Sequence, residues 1–317
     1  MKKIIFKKKE LQEAFFRFIN KENKKMELIK INNEEYEFVK DYRNDEELRK
    51  EYNNLTEKTF CFNFENWYKS GYWNEKHIPY SLRINNKIVS NVSVNLFEFI
   101  MEGELKKAIQ IGTVMTEKNY RKKGLNKYIM ERILKEWENK CDFIYLFGSD
   151  SVLNYYPKFG FKEGKEYRCS KKVSYKENNY KVRKLNMKDN IDRNLLYDKA
   201  KEGNKFSKVS VKGNEDLTMF YCIGFMENNI YYIEEFDAII VAEYEGENLY
   251  IQEIYGGYNL NSIIEALLRK ETKKVIFGFT PLEECHIEPL KEEDCTLFIK
   301  GNIQYSEKFM FPVLSHT

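Results

Sequence analysis

Histidine is scarce in this chain, with three in 317 residues. His286 beside Cys285 is the one Cys/His neighbour pair, and adjacent residues lack the spacing of metal ligands, so no metal site is expected. The six cysteines (61, 141, 169, 222, 285 and 295) form no C-x-x-C pair. In a chain without an export signal they read as reduced thiols, which points to a cytoplasmic location. Five prolines and 15 glycines exclude collagen-like or linker-dominated architecture. Long apolar runs are also missing: stretches such as 237–243 are strand-sized, far short of a membrane span, and no membrane partner is expected. Residues 1–9 begin like a signal peptide. Lysines interrupt the apolar stretch after three residues, and no small-residue cleavage site follows.

What is plentiful is aromatic and charged. With 23 Tyr, 23 Phe and 42% hydrophobic residues, the chain has apolar material for two cores, as its length implies. Net charge is +3, yet residues 1–25 carry +6, so the body is slightly acidic and is not a nucleic-acid binder by charge. In that leader Leu11, Phe15, Phe16 and Ile19 recur at helical spacing. It reads as a basic amphipathic extension that packs on the body or frays, with a membrane or RNA contact as the alternative. Met26 is an alternative translation start, because the patterned body begins there.

Residues 26–31 read as a strand. Helical stretches are expected over about 33–42 and 46–58, then an aromatic-dense segment over 60–80. Strands over 80–84, 87–100 and 105–116 form an antiparallel meander, with Asn85-Asn86 as a hairpin turn. The period then changes. Leu125, Ile129, Ile133 and Trp137 mark an amphipathic helix of about 17 residues. A strand at 142–147 should run parallel to the strand before that helix. A short helix ends near Pro157–Gly160, and 161–173 hold one or two strands. A second pass of the same order starts near Tyr180: a strand at 181–185, a meander over 230–254, a helix over 259–270 and a strand at 274–278. Two halves in one order suggest duplication, with a boundary in the polar stretch 174–179.

The segment that carries chemistry runs from the strand ending Val114-Met115-Thr116 into Arg121-Lys122-Lys123-Gly124-Leu125-Asn126 and the long helix. A helix start leaves backbone N–H groups unpaired and carries partial positive charge, which suits a phosphate. Gly124 removes a Cβ from the approach, and Arg121, Lys122, Lys123 and Lys127 add charge suited to a diphosphate. Downstream stands Tyr155-Tyr156-Pro157-Lys158-Phe159-Gly160-Phe161.

The loop Arg121–Asn126, in the form [Q/R]-x-x-G-x-[G/A], and the Y-x-K-x-G-F segment made by Tyr156, Lys158, Gly160 and Phe161 resemble the GNAT superfamily of acyl-CoA-dependent N-acyltransferases. The resemblance covers about residues 26–173. It departs at Asn126, where the family prefers Gly or Ala; Asn tolerates unusual φ. It departs again at Ser149, which replaces a common Asn. The implied fold class is mixed α/β, with two tandem GNAT-like domains, each a mostly antiparallel sheet flanked by helices. Residues 1–25 would be the extension, 26–175 the catalytic domain and 176–317 a degenerate second domain that closes one wall of the acceptor site. Its segment 255–260 lacks the Arg and Lys of the first loop.

By the same resemblance, acetyl-CoA is the co-substrate. It would lie where the strand ending at Thr116 splays from 143–147. Val114, Met115 and Thr116 would pair with pantetheine, Arg121–Asn126 would hold the pyrophosphate, and Ser149 would stand on the pantetheine side. A backbone N–H near 113–115 would polarise the thioester. Tyr156 matches the general acid, with Tyr155 one residue away as fallback. The base has three candidates: Glu98, His77 and the Thr317 carboxylate. Trp67, Tyr72 and Trp73 are acceptor-pocket candidates, with aromatic packing as the competing role. The expected reaction is direct attack of a primary amine, on a small molecule or peptide, in a ternary complex. No cysteine near the loop argues for a covalent intermediate. The alternatives are a CoA-responsive binding module and an aminoacyl-tRNA-dependent transferase.

Overall fold

The computed structural model describes residues 26–301, 303 and 308–316. The leader 1–25 and Thr317 lie outside them. Among the described residues the chain forms two mixed sheets flanked by helices. The first half contributes β1 (Glu27–Ile31), β2 (Glu34–Lys40), α1 (Glu46–Phe60), α2 (Glu65–Lys69), β3 (His77–Ile84), β4 (Lys87–Met101), β5 (Glu104–Thr116), α3 (Leu125–Trp137), β6 (Phe143–Gly148), β7 (Lys162–Glu163) and β8 (Tyr167–Lys172). The second contributes β9 (Val182–Lys184), α4 (Asn190–Ala200), β10 (Val209–Lys212), α5 (Glu215–Gly224), β11 (Ile230–Ile233), β12 (Ala238–Glu245), β13 (Asn248–Gly256), α6 (Leu260–Leu267), β14 (Lys274–Phe277), β15 (His286–Pro289) and β16 (Thr296–Gly301).

The meander β3–β4–β5 is antiparallel, and β6 joins β5 in parallel after α3. The Asn85-Asn86 hairpin turns through two positive φ values, 49° and 57°, as a two-residue hairpin of this kind requires. The helix expected over 33–42 is instead β2. Asn32 and Asn33 repeat the same turn, at φ 49° and 67°, and send the chain back along β1. Tyr36 and Phe38 are buried on one face, the period-2 pattern of a strand. Helix α1 starts at Asp45, whose carboxylate accepts from the N–H groups of Glu47 and Leu48. The long helix α3 is shorter than expected, at 13 residues, and α6 has 8. Leu125, Ile129, Met130 and Ile133 of α3 pack on the meander's apolar face.

The second sheet repeats the order: β11–β12–β13 antiparallel, then α6, then β14 parallel to β13. Each sheet also takes a strand from the other half. β8 pairs with β14, while β16 pairs with β6 and β10 with β4. The sheets therefore do not separate at the expected 175/176 division. The Gly256-Gly257 turn before α6 is closed on itself: a Cβ on Gly256 would lie 2.6 Å from the Asp237 carbonyl, and one on Gly257 2.6 Å from Ile263. The end of β14 is covered by the chain's last segment, where Val313 N–H donates to the Gly278 carbonyl at 2.8 Å and Leu314 is buried beside Tyr255.

Glu253 of β13 is buried and accepts from the Asn204 side-chain amide and the Ile254 N–H. Burial pushes its carboxyl up from the usual 4.5 to about 8, and Glu166 likewise to about 7. A raised carboxyl pKa means that the folded chain holds protons the unfolded chain has released. The stability this gives is complete below pH 4.5 and is lost as pH rises through 8. Glu253→Gln, a neutral mimic of the protonated acid, is expected to make the chain more stable at pH 8 by roughly a few kcal/mol and little changed at pH 4. Urea denaturation at the two pH values checks this.

Candidate active site

The β5–β6 ladder runs only from Ala108–Phe143 to Gln110–Tyr145. Beyond that register the two strands part, and a cavity of about 1360 Å³ opens between them. Val114, Met115 and Thr116 line one side, and Gly148, Ser149 and Tyr156 the other. A bulge shapes the β5 side. Asn91 stands opposite Met115 and Ser93 opposite Gly112, so Thr113 and Val114 together oppose Val92. Thr113 sits at φ 48°, a costly value for a β-branched residue. The Asn91 side-chain amide holds it by donating to the Thr113 carbonyl at 2.9 Å.

Asn91 belongs to a buried polar chain under β3 and β4. Ser81 Oγ donates to Asn91 Oδ1 at 2.8 Å, and Asn91 Nδ2 donates to Ser93 Oγ at 3.0 Å. Tyr52 lies 3.2 Å from Ser93 Oγ and 3.1 Å from His77 Nε2. His77 Nδ1 meets Asn95 Oδ1 at 2.6 Å. An amide oxygen only accepts, so this contact places the proton on Nδ1 and leaves Nε2 to accept from Tyr52. Burial lowers the His77 pKa to about 4, so the ring is neutral at pH 7.

At the other end, Gly124 caps α3 in the left-handed conformation at φ 83°, with no side-chain cap. The first N–H groups of α3 are thus free of intrahelical partners, and the first turn holds no acid. Arg121, Lys122, Gly124, Leu125, Asn126 and Lys127 line the cavity here. Arg121 is fixed by donating to the Thr116 carbonyl at 3.1 Å. Lys123 departs from expectation: its ammonium pairs with Glu34 at 3.1 Å, and it is not a cavity residue. The unusual φ also falls elsewhere than on Asn126. Lys122 (63°) and Gly124 carry it, whereas Asn126 is helical and accepts from Ser90 Oγ at 2.6 Å, tying the helix start to β4.

Tyr156 opens a short 3-10 turn, Tyr156–Phe159, with Pro157 at its start. Its ring packs on Phe298 and against Gly148, where a Cβ would lie 2.8 Å from the ring. Gly148 thus permits β6 to end against the tyrosine. Burial raises the Tyr156 pKa to about 12, so it carries its proton at pH 7. Tyr155 also lines the cavity, and its hydroxyl is buried without a hydrogen-bond partner among the described residues.

Of the three base candidates, His77 lines the cavity. Glu98 does not: it is exposed and sits cross-strand from Lys107 and Lys212. Thr317 lies outside the described residues. Its neighbours run beside the site, with Tyr145 donating to the Ser315 carbonyl, Tyr221 to the His316 carbonyl, and the His316 ring stacked on Phe147. Of the three aromatic candidates, Trp67 lines the cavity. Trp73 stacks behind it at 5.8 Å and donates to the His77 carbonyl, and Tyr72 packs on Tyr197. Neither Trp73 nor Tyr72 is among the residues that line the cavity. Sequence reasoning missed Phe60, Phe62 and Phe64, and missed α5, which presents Leu217, Phe220 and Tyr221 to the cavity. For α5 the spacing of three to four residues from Leu217 to Phe220 and Tyr221 was the available signal, and for Phe60, Phe62 and Phe64 it was their recurrence at every second residue.

Such an arrangement can hold an anion at the α3 start and an extended chain along the free edge of β5. Residues 42–164 match the acetyltransferase (GNAT) domain family. The first domain belongs to the GNAT acetyltransferase superfamily. Solved structures agree on this GNAT fold. A probable N-acyltransferase of unknown function from Enterococcus faecalis is 17% identical, with a TM-score of 0.55 over 80% of this chain and 70% of that one. GCN5-related N-acetyltransferases from Kribbella flavida and Anabaena variabilis are each 15% identical with a TM-score of 0.52. They cover 83% and 82% of this chain, and 71% and 72% of their own. No curated protein matches. GNAT enzymes use acyl-CoA. No cluster of three or more metal-ligating side chains occurs among the described residues, and no helix there is long and apolar enough to cross a membrane.

Proposed function

We propose that this GNAT protein transfers acetyl from acetyl-CoA to a primary amine by direct attack in a ternary complex. The observation that carries the reading is the early end of the β5–β6 ladder at Gln110–Tyr145, in one cavity with the uncapped start of α3.

Val114, Met115 and Thr116 offer backbone groups to the pantetheine arm, and Ser149 stands across from them. The amides of 121–126, with Arg121, Lys122 and Lys127, face the pyrophosphate; Lys123 is committed to Glu34. Backbone N–H groups at the Thr113 bulge polarise the thioester carbonyl. Tyr156 donates a hydrogen bond to the departing thiolate. The amine must first lose a proton, which withholds about 4 kcal/mol of nucleophile at pH 7 for a pKa near 10. His77 is the cavity-lining candidate for this step. Its Nδ1–H is held by Asn95 and its Nε2 accepts from Tyr52, so a proton reaches it only through the Tyr52 hydroxyl, and at a pKa of about 4 it passes that proton on to water.

Thiol release from acetyl-CoA across a panel of primary amines tests the reading. Steady, amine-dependent release with one acetylated product per thiol is expected. A chain that binds acetyl-CoA yet releases no thiol with any amine of the panel is a binding module, and the transferase reading ends there.

A further inference from the structure

The two ends of the cavity differ in chemistry. Every charged residue that lines it is outside the acceptor end: Arg121, Lys122 and Lys127 at the start of α3, Glu131 one turn on, and Lys158 beyond Tyr156. The acceptor end is built on phenylalanine. Phe62 is its hub, meeting Phe60 at 6.0 Å, Phe64 at 5.3 Å, Phe220 at 5.9 Å and Phe225 at 5.6 Å between ring centres. Trp67 closes the floor against Phe64 and Phe220. The titratable groups in this wall are His77, whose two nitrogens are already engaged by Tyr52 and Asn95, and Tyr221, whose hydroxyl donates to the His316 carbonyl.

Two of these rings reach the surface. Phe60 is 42% and Phe225 54% exposed, and both line the cavity against Phe62. Phe60 ends α1 and Phe225 follows α5, so the two halves of the chain each supply one lip. Phenylalanine left in water at a cavity mouth gains by being covered with apolar surface. A polycation would need carboxylates, and the described residues of this end supply none. The nearest acid on α5, Asp216, is taken by Tyr197 and the Asn74 amide.

We infer that the acceptor is a primary amine borne on an aromatic or bulky apolar body, with no further positive charge. The inference rests on the transferase reading above and narrows its acceptor. The geometry adds a chemical advantage. A wall of rings disfavours the ammonium form of a bound amine and so lowers its pKa toward that of a nucleophile, at a site with no strong base among the described side chains.

The test compares kcat/KM for 2-phenylethylamine and tryptamine with that for spermidine and kanamycin, at fixed acetyl-CoA. The aromatic amines are expected to lead by about 100-fold, the scale of burying one ring. In the double variant Phe60→Asp/Phe225→Asp, kcat/KM for the aromatic amines should fall at least about tenfold, spermidine should improve, and the KM for acetyl-CoA should hold. Both sites are exposed, so folding is spared, and an unchanged thermal melt confirms it. Trp67 fluorescence in the CoA-bound chain reports aromatic-amine binding without turnover, and saturation is expected. A preference for the polycations overturns the inference and leaves the transferase reading intact. An unaltered aromatic preference in the double variant also overturns it. Decanoyl-CoA outrunning acetyl-CoA with small aliphatic amines would assign the rings to the acyl chain, again overturning it. Failure of acetyl-CoA to bind at all would instead sink the transferase reading itself.

Discussion

Gly124→Glu is expected to abolish acetyl-CoA binding, with at least a 100-fold loss of affinity by calorimetry. Two effects combine. Position 124 holds φ at 83°, where a side chain costs about 1–3 kcal/mol of backbone strain. The larger effect is charge. A carboxylate beside the free N–H groups of α3 occupies the place of a phosphate and repels one. No atom lies within 4 Å of a Cβ built there, so the fold has room for the substitution. Gly124→Ala separates the effects: it carries the strain without the charge and should lose only about tenfold. Equal affinities of wild type and Gly124→Glu would remove the phosphate role from this loop.

Tyr156→Phe is expected to lower kcat by about 100-fold or more, leaving the KM for acetyl-CoA within about twofold. The phenol, at about 12, is a weaker acid than an ordinary thiol near 8.5. Full proton transfer to a free thiolate is therefore uphill, and the hydroxyl acts by hydrogen bonding as sulfur charge develops. That interaction exists only as the C–S bond breaks, which is why kcat and not KM should move. A loss confined to Tyr155→Phe would assign the donor to the neighbouring ring, whose hydroxyl is also buried at the cavity.

Local pattern carried much of the first domain. The Asn85-Asn86 turn, the alternation along β4 and the switch to helical period at Leu125 are each readable within ten residues, and each is where it was expected. The same turn at Asn32-Asn33 passed unread, because Glu34–Lys40 is short and rich in glutamate, which is helix-prone in isolation. Long-range partners were beyond reach. Nothing near Lys123 foretells Glu34, and nothing near β6 foretells β16, about 150 residues on. The cavity wall from α5 was hidden for the same reason. Its rings are spaced as in any buried helix, and only tertiary contact turns that face toward the cavity.

The pairing of β16 with β6 bears on how the protein is made. During synthesis the first half of the chain leaves the ribosome long before residues 296–301 exist. At about 5–20 residues per second, β6 waits on the order of ten seconds with one edge bare. Over that interval the nascent chain is an unfinished sheet open to wrong neighbours, and a chaperone that shields such edges would determine how much folded protein a cell obtains.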